Sequence, residues 1–165
     1  MKVLLTILWL GVLMSTFVVT LWPQTVWFDA KGRWLSPDIH RELLQQLRPF
    51  KPEGGVATWV FLKPGCLCQS LAEQHIVEVV KKLERFGPVR VVHRPPAIIP
   101  SVPALIVANL DSEQIHYAGP FSQGALCGVT GSVVERLIDS NQLLNNQIIN
   151  DVQDGCYCPN EPKTL

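Results

Sequence analysis

Two pairs of cysteines with the same spacing, Cys66/Cys68 and Cys156/Cys158, are the residues in this chain best suited to chemistry. A thiolate attacks disulfides and binds soft metals, and the thiol form does neither well. What decides reactivity is therefore the setting of each sulfur. Ahead of the first pair, Val56-Ala57-Thr58-Trp59-Val60-Phe61-Leu62 reads as a buried strand, which Lys63-Pro64-Gly65 breaks. Behind it, Gln69 to Phe86 reads as an amphipathic helix with Leu71, Ile76, Val79, Val80 and Leu83 on one face. A strand, a tight turn, paired thiols and a helix start place cysteines beside free N–H groups and partial positive charge, which favour the thiolate.

The rest of the chain must build a scaffold for that corner. Ser36-Pro37-Asp38 is a helix start, with Ile39, Leu43, Leu44 and Leu47 at helical spacing after it. Val89 to His93 is a second strand. Four prolines between Arg94 and Pro103 mark a loop. Ala104 to Ala108 is a third strand and Gln114 to Ala118 a fourth, antiparallel to the third across the turn Asp111-Ser112-Glu113. Val129 to Leu144 reads as a last helix, with Val133, Val134, Leu137 and Ile138 inward. This order fits an α/β domain with a mixed central sheet and helices on both faces.

The Cys66-Leu67-Cys68 corner, the Val102-Pro103 dipeptide before Ala104-Leu105-Ile106-Val107, and the 104–118 hairpin followed by Gly119-Pro120 and a helix resemble the thioredoxin-like superfamily. With the apolar N-terminus and the Cys-Tyr-Cys tail, the whole chain resembles a bacterial family of membrane-anchored thioredoxin-like proteins with Cys-x-Cys motifs. The resemblance to the thioredoxin-like superfamily covers about residues 36–140 and implies a three-layer sandwich. It also implies a cis peptide at Pro103 facing the thiols, with the Val102 backbone open for pairing with an extended substrate strand. Three positions depart from the superfamily pattern: one residue, not two, separates the thiols; Gly65 stands where an aromatic is usual; and Val60 stands near the position of a buried acid.

A Cys66–Cys68 disulfide requires Leu67 outside helical geometry, because side chains two apart on a helix diverge. Its small ring is expected to be strained and so oxidising. In this reading Cys66 is the exposed nucleophile, Cys68 the resolving thiol and Pro103 its catalytic neighbour, while Val102, Gly65 and Leu67 contact the substrate. Cys156 and Cys158 are a second redox pair, a local disulfide pinning the tail, or metal ligands. Cys127 is the odd cysteine of five, free, bridged to the tail or a ligand. The expected function is thiol–disulfide oxidoreductase, with soft-metal binding or maturation and a non-enzymatic interaction domain as alternatives. Copper is the metal suited to these thiolates, since paired Cys-x-Cys is a weak zinc pattern. His75, His93 and His116 read as surface residues.

Other classes find no support. No Gly-x-Ser-x-Gly or phosphate-loop motif is present, and the formal net charge of +0 offers no field for nucleic acid. Electrons passing through sulfur need no organic cofactor. Val3 to Trp22 carries no charge over 20 residues, which at 1.5 Å each spans roughly 30 Å, a bilayer core. The run exceeds a usual signal-peptide core and lacks a small-residue cleavage site. The expected organisation is therefore a transmembrane anchor over 1–23, a stalk over 24–35, a thioredoxin-like domain over 36–140 and a tail over 141–165. On this reading the protein is single-pass in the inner membrane through residues 3–22. Its domain is periplasmic, where five cysteines suit an oxidising space and the partners are protein thiols or disulfides.

Overall fold

A computed structural model describes residues 2–21, 25–36, 38–50, 55–122, 132–150 and 154–160. The apolar N-terminus forms α1 (Lys2–Leu21). The side chains described in it, residues 5–19, are exposed. Among the described residues no helix is long and apolar enough to cross a membrane. This corrects the expected transmembrane segment over 3–22, the single-pass inner-membrane location and the fold described as a sandwich behind such a helix.

The architecture is a mixed α/β domain around a five-stranded mixed sheet. Its strands are β2 (Val56–Phe61), β3 (Val89–Val92), β5 (Ala104–Asn109), β6 (Gln114–Pro120) and β7 (Ile148–Ile149), in the order β3-β2-β5-β6-β7. β2 pairs parallel with β3 and antiparallel with β5, β5 pairs antiparallel with β6, and β6 pairs parallel with β7. The near-continuous apolar runs of β2 and β5 suit central strands buried on both faces. β3, with Arg90 and Val91 exposed, is an edge. A register shift between Val107 and Ala108 leaves His116 unpaired in β6, a β-bulge. Besides α1, the α-helices among the described residues are α2 (Ile39–Leu47), α3 (Leu67–Leu71), α4 (Glu73–Leu83) and α5 (Val133–Asp139). α5 opens with a reciprocal capping box: Ser132 Oγ accepts from Glu135 N–H, and Glu135 Oε2 accepts from Ser132 N–H, each at 3.2 Å.

Several local expectations are corrected. The single helix over 69–86 is two helices, because Ala72 (φ −96°, ψ 3°) bends the chain while its N–H still reaches the Cys68 and Gln69 carbonyls. Residues 25–35 of the expected stalk over 24–35 instead fold into the domain. Phe28 and Trp34 are buried and stack edge-on at 5.2 Å, and Trp34 Nε1–H donates to Ile98 O at 2.9 Å. Two large aromatics gain too much by burial to remain on an exposed stalk. The tail over 141–165 supplies β7 and two further strands, β8 (Asp154–Cys156) and β9 (Cys158–Pro159). β8 pairs antiparallel with β1 (Thr25–Trp27), and β9 pairs antiparallel with β4 (Ser101–Val102). His75 and His116 are buried rather than on the surface, and His75 Nδ1 lies 3.8 Å from Glu135 Oε1. In β6, burial pushes the Tyr117 phenol well above its ordinary range against the opposing bond from Asn150, so it stays a neutral donor to Pro120 O at 2.8 Å.

Candidate thiol site

Lys63-Pro64-Gly65 leaves β2 in a tight turn. Gly65 has φ +78°, a left-handed conformation that favours glycine, and Cys66 N–H closes the turn on Lys63 O at 3.2 Å. The Gln69 side chain braces the same turn by accepting from Lys63 N–H at 2.8 Å. Cys66 itself is the N-cap of α3, with extended backbone (φ −79°, ψ 113°), and Cys68 lies in the first helical turn. Leu67, between them, is exposed.

The two Cys-x-Cys motifs are bonded to each other, crosswise. Cys66 is joined to Cys158 and Cys68 to Cys156, with Cα separations of 5.9 and 5.4 Å. The expected Cys66–Cys68 ring is therefore corrected, and the argument for an oxidising potential from its small size does not apply. The geometry has a simple origin. Cys156 and Cys158 flank one residue in an extended segment, so their side chains leave on one face while Tyr157 leaves on the other. That face meets the helix-mouth pair, and the buried Tyr157 packs edge-on against Phe28 at 5.4 Å and donates its hydroxyl to Ser122 O at 2.6 Å.

Burial differs among the four sulfurs. Cys68 is 0 % exposed and Cys66 and Cys156 are each 4 % exposed, whereas Cys158 is half-buried. The expectation of an exposed Cys66 is thus corrected: the tail covers it. The Sγ atoms of Cys66, Cys68 and Cys158 all lie within 4.8 Å of one another. Cys66 Sγ also lies 3.9 Å from Val102 O, a contact in which the bonded sulfur has no proton to give.

The Val102–Pro103 peptide is cis, and Val102 is fully buried. Its backbone edge, expected to stand open for an extended substrate, is occupied by the chain's own β9, with Val102 opposite Cys158 and Ser101 opposite Pro159. Side-chain and backbone bonds secure that strand. Asn160 N–H reaches Pro100 O at 2.9 Å, and Asn160 Nδ2 donates to Pro96 O at 2.8 Å, Ile99 O at 3.0 Å and Pro95 O at 3.4 Å. Lys63 Nζ donates to Pro159 O at 3.1 Å, tying the tail to the turn before Cys66. The roles of Asn160 and Lys63 in holding the tail went unnoticed in the sequence. The readable signal was a polar residue just after Cys158-Pro159, able to satisfy carbonyls that a proline-rich loop leaves without N–H partners. Gly65 and Leu67 lie on the surface beside the site, and Cys127 lies outside the described residues.

A family model for a domain of unknown function, DUF6436, matches residues 36–160, about three quarters of the chain. The chain belongs to this family. The DUF6436 span holds both Cys-x-Cys motifs, the Val102–Pro103 peptide and Asn160, so the crosswise pairing is internal to the domain. No curated protein and no solved structure matches the chain.

Proposed function

We propose that the domain carries out thiol–disulfide exchange through its crossed Cys-x-Cys motifs, with the C-terminal strand as the in-chain partner of Cys66. The observation that carries this reading is the graded burial of the four bonded sulfurs, which leaves Cys158 as the one with access to solvent. The resemblance to thioredoxin-like proteins supports it as well, since β9 lies on the edge where such a domain would take an extended partner.

The chemistry balances through sulfur alone. A partner dithiol, as thiolate, attacks Cys158 Sγ. The Cys66–Cys158 bond breaks, a partner–Cys158 bond forms, and Cys66 leaves as thiolate at the mouth of α3. The partner's second thiol, as thiolate, then displaces Cys158. The partner ends as a disulfide, two electrons poorer, and the domain gains the thiols of Cys66 and Cys158 after protonation from water. The reverse sequence hands the disulfide to a reduced partner. Cys68–Cys156 lies beneath as the second bond of the couple.

The test is graded reduction of the folded protein with a dithiol, followed by alkylation and mass mapping. The expected result is labelling of Cys158 and Cys66 before Cys68 and Cys156, while the fold persists. If no disulfide opens until the protein unfolds, the bonds are staples and the proposal fails.

A further inference from the structure

We infer that the fully reduced domain holds a soft monovalent cation, Cu(I), between Cys66, Cys68 and Cys158. The inference rests on the sulfurs of the exchange reading but not on their reduction by a partner. Three observations converge. First, three sulfurs from two distant segments lie mutually within 4.8 Å. A metal with bonds of about 2.3 Å to three thiolates sets them about 4 Å apart, so small side-chain movements suffice once the disulfides open.

Second, the group within that distance has three members among the described residues, not four. Three thiolates suit Cu(I), whereas structural Zn(II) takes four ligands in a tetrahedron. Third, Cys66 and Cys68 are buried while Cys158 is half-buried, which gives a water-poor site with one ligand at its entrance. The Lys63 ammonium, bonded to Pro159 O, brings positive charge to the strand that carries Cys158.

Freeing all three ligands requires opening Cys66–Cys158 and Cys68–Cys156. Each bond consumes one equivalent of a dithiol reductant, which leaves as its own disulfide after giving up two electrons. Each sulfur that then binds as thiolate releases one proton to water. Disulfide and metal are mutually exclusive states of the same atoms.

The experiment uses the full chain, reduced without oxygen by a phosphine that is then removed. It is titrated with Cu(I) against a chromogenic Cu(I) chelator. A parallel titration uses Zn(II). The bound thiols are mapped by alkylation. One equivalent of Cu(I) is expected to bind and to slow alkylation of Cys66, Cys68 and Cys158 at least tenfold, with Cys156 still reactive. C158S, on the surface strand, and C68S, in the core, are each expected to weaken Cu(I) at least tenfold, and the former covers the case in which the latter does not fold.

Equal Cu(I) binding by the disulfide-bonded protein, protection of all four thiols with Zn(II) preferred, or no protection at all overturns the site. If native dithiol opens no disulfide, the exchange reading fails. The same titration, run on protein reduced in denaturant and refolded, still decides the metal site.

Discussion

The two Cys-x-Cys motifs share a spacing and almost nothing else. Cys66 and Cys68 sit where β2 turns into α3, and their positions are set by the main sheet and by bonds local in sequence. Cys156 ends the short strand β8 and Cys158 begins the short strand β9, and their positions are set by pairing with β1 and β4 and by a few side-chain bonds from Tyr157, Asn160 and Lys63. The first motif lies in a robust frame but is covered. The second covers it and rests on a few contacts. Local openings arise where few contacts must break, so exchange should begin at the tail, and the helix-mouth sulfurs should react after it.

The largest expected effect comes from removing the link between the two motifs. Each disulfide closes a loop of about 90 residues, with sequence separations of 92 and 88. The chain-entropy account gives about 4–5 kcal/mol for such a loop. The bonds are nested, however, so once one is formed the other closes only a small ring. Replacing the four bonded cysteines by alanine should therefore cost roughly that amount in urea unfolding, while losing one bond alone costs well under half of it. Strictly additive losses would contradict this picture.

Asn160→Ala comes next. It strips the bonds to Pro96, Ile99 and Pro95 carbonyls and should weaken the tail by ~1–3 kcal/mol. Reduction of Cys66–Cys158 should then accelerate about tenfold for each ~1.4 kcal/mol lost, with hydrogen exchange in β2 and β5 unchanged. Equal loosening of the central sheet would erase the proposed difference between the two regions.

Tyr157→Phe keeps the ring against Phe28 but leaves Ser122 O without its donor, an expected loss of ~1–2 kcal/mol by thermal unfolding. Lys82→Ala is the smallest. It breaks the exposed pair with Asp139 at 3.1 Å, far from the tail in sequence, and should change stability by less than ~1 kcal/mol and the reduction rate not at all.

What could be read from the sequence was whatever is encoded locally. The apolar runs of β2 and β5, the Lys63-Pro64-Gly65 turn and the antiparallel 104–118 hairpin all announce themselves within a few residues. Partners distant in sequence did not. Nothing in either cysteine motif says which sulfur of the other it meets, and the strands β1, β4, β8 and β9 that decide this are two or three residues long, too short to show a period.

His75 misled because Glu73-Gln74-His75 reads as a polar stretch. Yet it stands four residues before Val79 and eight before Leu83, on the buried stripe of α4. Phe28 and Trp34 were assigned to a stalk because the polar turn Asp29-Ala30-Lys31-Gly32 lies between them. That turn is held from within, Asp29 Oδ2 accepting from Trp34 N–H at 2.7 Å. The N-terminal apolar run was legible as a helix, and its reading as a membrane span is corrected by the length and apolarity of the described helices.

The most direct test of the exchange account is the order in which sulfurs become free when the native protein meets a limiting dithiol, read by isotope-coded alkylation at each cysteine. The account predicts that Cys158 and Cys66 are labelled together and first, with Cys68 and Cys156 following. Labelling of Cys68 and Cys156 first, or of all four only as the fold is lost, would contradict it.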